Sequence, residues 1–150
     1  MTFMLRSLVV ALAVGLLAVH GACAEGGKPH HVAIQVDQDD PQVMNLVLNN
    51  AKNVLEHYRA KNEDAEVEIV TYGPGLHMLR DDTSPVKDRI KQMSEASRSK
   101  LVFSACNNTK QGMEKREGRP ITIIPQATIV PSGVVRLMEL QEQGWSYVRP

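Results

Sequence analysis

Cysteine, aromatic side chains and net charge are what this chain has least of. Its 150 residues include two cysteines, one tryptophan, three tyrosines and two phenylalanines, and 17 basic residues balance 17 acidic ones. So few cysteines exclude the disulfide scaffolds of small secreted domains. Balanced charge with no basic cluster excludes the electrostatic footprint of a nucleic-acid partner. No repeat and no low-complexity tract occurs, which removes solenoids and disordered linkers. The longest apolar run, Leu8 to Val19, is broken by Gly15 and is too short for a comfortable membrane span.

That run follows Met1–Arg6 and precedes Ala22-Cys23-Ala24 and the polar Glu25-Gly26-Gly27-Lys28. A basic start, a short apolar core and a small-x-small site form a secretory signal, with cleavage expected after Ala24. A retained N-terminal anchor is the alternative. Residues 1–24 are therefore read as a signal peptide and 25–150 as one domain, exported to the periplasm and not membrane-bound after cleavage. The segment removed carries Arg6 and no acid, so the mature chain stays close to neutral. Cys23 leaves with the signal. Cys106 then remains as a lone thiol that is buried, reactive or paired between chains.

Apolar periodicity gives the elements in order. His30–Val36 predicts a first strand. Asp40 before Pro41 predicts a helix start, with aspartate as N-cap and proline at the first position, running to about Lys61. Val67–Tyr72 predicts a second strand, broken by Gly73-Pro74-Gly75, and Leu76–Leu79 one short helical turn. Ser84 and Pro85 predict the cap and first residue of a helix over 85–97. Leu101–Ala105, an apolar run bounded by turn formers, predicts a third strand buried on both faces. A short helix over 108–116 follows, then a fourth strand over 127–130, with 121–124 as an extended lead-in. Ser132–Gln143 predicts a helix that carries Val134, Val135, Leu137, Met138 and Leu140, and Trp145–Val148 a last strand. Met44, Met78, Met93 and Met138 read as core. Strand and helix alternate, which implies an α/β fold: a doubly wound, mostly parallel five-stranded sheet with helices on both faces. Ligands in such sheets gather beyond the carboxyl ends of the strands, at the topological switch point.

That rule brings Asp37–Asp40, Gly73–Leu79, Cys106–Thr109 and Pro131–Gly133 to one rim. Cys106 stands where a buried strand hands over to a helix, at the mouth of a small pocket, so amide groups favour its thiolate. An ordinary thiol is only about 3% ionised at pH 7. Lowering its pKa by about 1.5 units, worth roughly 2 kcal/mol, makes half of it thiolate. A buried, inert cysteine at a strand end is the plain alternative. Asn107, Asn108 and Thr109 are candidate ligand-binding residues through side chains and amides, or simple helix caps. His77 is a candidate proton donor or surface residue. Gly73, Gly75, Ser132 and Gly133 complete the candidate rim. The glycine loop lacks the spacing of a phosphate-binding fingerprint, and no cofactor is expected. Asp37, Asp39 and Asp40 read as a cap and solvated acids, and the adjacent His30 and His31 lack further ligands, so no metal site is assigned.

Thr71-Tyr72-Gly73-Pro74-Gly75-Leu76, Val102–Thr109, Val130-Pro131-Ser132-Gly133-Val134 and Leu140–Tyr147, in this order on this strand pattern, are similar to the DsrE-like family. That family includes sulfur-relay subunits of the DsrE/TusD kind and the YchN type. The resemblance spans about His31 to Arg149. It implies a doubly wound fold, a trimeric or hexameric homo-oligomer, and a persulfide-carrying cysteine that maps onto Cys106. The signal peptide is a departure, because relay subunits meet their partners in the cytosol; the sulfur donor and acceptor are not carried over. The functional expectation is a periplasmic protein that binds or transfers sulfane sulfur on Cys106, a carrier rather than a turnover enzyme. A non-catalytic small-ligand or partner-binding module with a structural cysteine is the alternative. A thiol hydrolase or peroxidase is disfavoured, because a resolving cysteine and a convincing histidine–acid pair are missing.

Overall fold

The computed structural model describes residues 29–150. The expected signal peptide and Cys23 lie outside them. The strands are β1 (His30–Val36), β2 (Ala65–Thr71), β3 (Leu101–Cys106), β4 (Ala127–Val130) and β5 (Ser146–Val148). The helices are α1 (Pro41–Ala60), α2 (Lys87–Ser97), α3 (Asn107–Glu117) and α4 (Gly133–Glu142), with a 3₁₀ segment over Gly73–Leu79. All five strands are parallel, in the order β4-β3-β2-β1-β5. Successive strands thus step away from β1 until β4, and the chain then crosses back through α4 to place β5 on the other side of β1. The topological switch point lies between β1 and β5.

Local chemistry explains most element boundaries. Asp40 accepts from the Gln42 amide at 2.7 Å, and Pro41 occupies the first turn of α1. The α1 residues that reach the sheet are Met44, Val47, Leu48 and Ala51, while Leu46 is half exposed. The α2 start differs from expectation. Its N-cap is Val86, with no side-chain cap bond. The Ser84 hydroxyl is engaged elsewhere: it donates to the Met78 carbonyl at 2.6 Å and accepts from Val86 N–H at 3.4 Å. That local turn competes with helix and delays it to Lys87. The glycine–proline–glycine stretch does not precede the short helical turn but forms its beginning.

The two faces of the sheet are covered unequally. On one, Ile34, Ile69 and Phe103 are sealed beneath α1, the 3₁₀ segment, α2 and α3 in a continuous apolar cluster. On the other, α4 alone packs on Ala33 and Val70, through Leu137 and Leu140, with Tyr72 and Trp145 alongside. Val134, Val135 and Met138 of α4 are each about half exposed, which corrects the reading of Met138 as core. Among the described residues, no helix is long and apolar enough to cross a membrane.

Candidate functional site

Cys106 is the last residue of β3 and itself the N-cap of α3. Its sulfur accepts from the Thr109 amide at 3.4 Å. Side chains alternate along a strand, so Cys106 lies on the same face as Ser104, the face that α4 covers. The first residue of α4 is Gly133, and its backbone N–H lowers the pKa of the same thiol. Two helix N-termini, one from each side of the sheet, therefore influence one thiol. Each carries partial positive charge and unsatisfied N–H groups.

The balance on the thiol follows from these neighbours. Burial is the largest influence and pushes its pKa up. The Thr109 hydroxyl and the N–H groups of Gly133, Thr109 and Asn108 oppose it, and together they bring the thiol below its ordinary value. Thr109 is itself oriented. Its oxygen accepts from the Gly73 N–H at 2.9 Å, which leaves its own proton for the sulfur. Gly73 holds φ +52°, a left-handed conformation that glycine adopts without strain. Asn108 N–H also donates to the Pro131 carbonyl at 3.3 Å, tying the loops after β3 and β4 together.

Close backbone approach explains two more candidates. A Cβ on Gly75 would sit 2.2 Å from the Val36 carbonyl oxygen, so this residue seats the 3₁₀ segment against the end of β1. A Cβ on Gly133 would come within 2.9 Å of Tyr72 Cβ, so only glycine lets the start of α4 settle this close. Ser132 caps α4, accepting from the Val135 amide at 3.5 Å. Asn107 is partly exposed beside the thiol, and Asn108 is exposed.

His77 is placed apart from the sulfur's donors. Its Nδ1 pairs with the Thr83 hydroxyl at 2.8 Å, and its Nε2 lies 3.9 Å from Asp39. Together with Gly73, Pro74, Thr109, Met113 and Arg116 it lines a cleft of about 410 Å³. Cys106 does not line that cleft; Thr109 and Gly73 belong both to its wall and to the thiol's hydrogen-bond network. This corrects the expectation of a thiol at the pocket mouth. Cys106 is 4% exposed, yet it belongs to neither apolar cluster, and its donors are amides and a hydroxyl. The switch point proper is occupied by other contacts: Arg149 pairs with Asp37 at 3.0 Å, and Tyr147 donates to Gln35. Among the described residues, no three histidine, cysteine or acidic side chains cluster as a metal site would need.

This face also buries a carboxylate. Glu68, 2% exposed, accepts a forked pair of hydrogen bonds from Arg136 at 2.8 and 2.7 Å and a third from Ser104 at 2.6 Å. A glutamate inside a β-branched strand reads as an outward-facing residue; only its pairing with a helix 68 positions on makes it internal.

Known proteins bear on the same segments. A family model described as the DsrE/DsrF-like family matches residues 31–150. No curated protein matches. Among solved structures, a protein of unknown function from Methanobacterium thermoautotrophicum is similar at 27% identity and a TM-score of 0.67, over 81% of this chain and 99% of its own.

Proposed function

From the premise that this chain belongs to the DsrE/DsrF-like family, we propose that it carries sulfane sulfur as a persulfide on Cys106. Membership points to sulfur relay in general. The finer reading rests on one observation: Cys106 caps α3, its sulfur accepting from the Thr109 amide at 3.4 Å, and this amide with the Thr109 hydroxyl and the N–H groups of Gly133 and Asn108 lowers the thiol's pKa despite burial. A thiolate is the species that attacks sulfur. The Cys106 thiolate attacks the terminal sulfur of a persulfide R–S–SH. A new S–S bond forms at Cys106, the donor's S–S bond breaks, and R–S⁻ leaves to take a proton from water. The incoming SH group stays on the cysteine. Discharge is the same exchange in reverse, onto an acceptor thiolate, with no net oxidation. The same N–H groups that hold the thiolate also stabilise a persulfide anion.

The sequence features of the N-terminus support a periplasmic location for this carrier. The half-exposed Val134, Val135 and Met138 support self-association through α4; a trimer or hexamer is what the family resemblance implies. A second reading, a binding module with a structural cysteine, is favoured by the 4% exposure of Cys106. Incubation with a low-molecular-weight persulfide followed by intact-mass measurement separates the two. One added sulfur on the wild type and none on Cys106→Ser is expected. No addition to the wild type, or equal addition to both, overturns the carrier reading.

A further inference from the structure

The helix α3 keeps a glycine near its middle. Gly112 lies inside Asn107–Glu117, and its backbone is helical, with no positive φ. Glycine weakens a helix interior, so its presence there needs a reason. Left-handed backbone is not the reason, and neither is close packing: a Cβ added at Gly112 would meet nothing within 4 Å. Gly75 and Gly133 differ, because a Cβ on either would strike its neighbours. What Gly112 does is line the cleft of about 410 Å³ between the 3₁₀ segment and α3. A missing side chain keeps that wall open and lets a ligand approach the helix backbone. Clefts that hold small molecules run from about 300 to 1,000 Å³, and this one falls in that range.

The cleft carries a free charge of each sign. Arg116 stands one turn after Gly112 on the same face of α3 and also lines the cleft. The acids near it on the helix are engaged elsewhere, Glu114 with Lys110 and Glu117 with Arg80 and Arg119. Among the salt bridges of the described residues, Arg116 has none. Asp39 lines the cleft as well and is half exposed; its nearest cation is His77, whose Nε2 stays 3.9 Å away, beyond hydrogen-bond distance. Asp39 and Arg116 share one cleft without pairing with each other. Opposite charges held apart in this way suit a molecule that carries both.

We propose that this cleft binds a small zwitterion of the amino-acid or short-peptide class, with its carboxylate on Arg116, its ammonium on Asp39 and its body against the open wall at Gly112. An arginine fork matches a carboxylate, and Asp39 accepts from an ammonium. The binding itself does not depend on the persulfide reading, because Cys106 does not line the cleft. Cysteine-containing peptides belong to the same ligand class. One of them would come to rest beside Thr109, whose amide donates to the Cys106 sulfur.

The test is calorimetric titration of the purified protein with three probes. L-glutamate and S-methylglutathione are the zwitterions, the second with a capped sulfur that cannot exchange; succinate is the anion alone. Saturable binding of at least one zwitterion is expected, with succinate weaker by about tenfold or more. Arg116→Gln and Asp39→Asn are each expected to weaken the zwitterion by about tenfold. Gly112→Leu fills the cleft and is expected to abolish binding while Tm holds or rises, since leucine favours helix and the space beside the glycine is open. Loss of binding therefore cannot be put down to unfolding. No saturable binding of either zwitterion to the wild type, or undiminished binding in Gly112→Leu, overturns the proposal. So does succinate binding as tightly as the zwitterions with Asp39→Asn at the wild-type level. Sulfur loading on Cys106, read by mass, reports separately: a protein that binds the zwitterion and never loads sulfur keeps the cleft assignment and loses the carrier function.

Discussion

On the α1 face of the sheet, Ile34, Ile69 and Phe103 lie under three helices and a 3₁₀ segment; on the α4 face, the matching layer holds Glu68, Ser104 and Cys106 under one helix. The first layer is a continuous apolar core whose burial drives folding. The second interleaves a hydrogen-bonded polar set with a small apolar cluster of Ala33, Val70, Leu137 and Leu140. Polar groups in such a place cost free energy unless each has a partner, so their directions are tightly set. The contrast assigns different work to the faces. One supplies stability, the other fixes donors around a sulfur. Cys106 is placed where both contribute, through the start of α3 and the start of α4.

The largest effects should come from the apolar side and leave the thiol alone. Phe103→Ala is expected to cost about 3–5 kcal/mol, read by denaturant unfolding, with no change in the Cys106 titration midpoint where the protein still folds. A midpoint shift there would break the division of labour. Arg80, 1% exposed and bonded to both Asp82 and Glu117, ties the end of the 3₁₀ segment to the end of α3. Arg80→Ala leaves Asp82 and Glu117 with Arg119 as their shared partner and is expected to cost about 1–3 kcal/mol.

Changes around the sulfur should do the opposite. Gly133→Ala must push α4 off Tyr72. We expect a stability loss of about 1–2 kcal/mol and a raised thiol midpoint, because the Gly133 amide moves away. Thr109→Val removes the hydroxyl and leaves the Gly73 N–H without its partner. The expected loss is about 1 kcal/mol, again with a raised midpoint, read by alkylation against pH. A smaller effect concerns acid. Arg80, then Arg119, hold the Asp82 carboxyl well below the usual carboxylate range. An unfolded aspartate titrates near pH ~3.9, so the stabilisation is full above that and is lost only as pH falls through the lower folded value. Asp82→Asn should therefore narrow the stability gap to wild type progressively below about pH 4, as seen in Tm against pH.

Much of this was legible in the chain. Asp40-Pro41 gives α1 its start, β-branched runs give β2 and β3, and alternation gives a parallel sheet. What was not legible depends on contacts between distant residues. Cysteine is not a usual capping residue, so Asn107 and Asn108 drew the expected start of α3 past Cys106, which in fact caps it. The Ser84-Pro85 pair resembles a cap but spends its hydroxyl on Met78. Val134 and Met138 stand beside the inward stripe of Gly133, Leu137 and Leu140 and not on it, and are about half exposed. The loops Gly73–Leu79, Cys106–Thr109 and Pro131–Gly133 read as parts of one rim; their meeting follows from β2, β3 and β4 being adjacent in the sheet.

The most direct test of the central claim is ultraviolet titration of the Cys106 thiolate in the purified wild-type protein, with the Cys106→Ser spectrum subtracted. A midpoint below that of an ordinary cysteine, about 8.5, is predicted. A midpoint at or above about 8.5 would contradict it, and would mean that burial outweighs the converging donors.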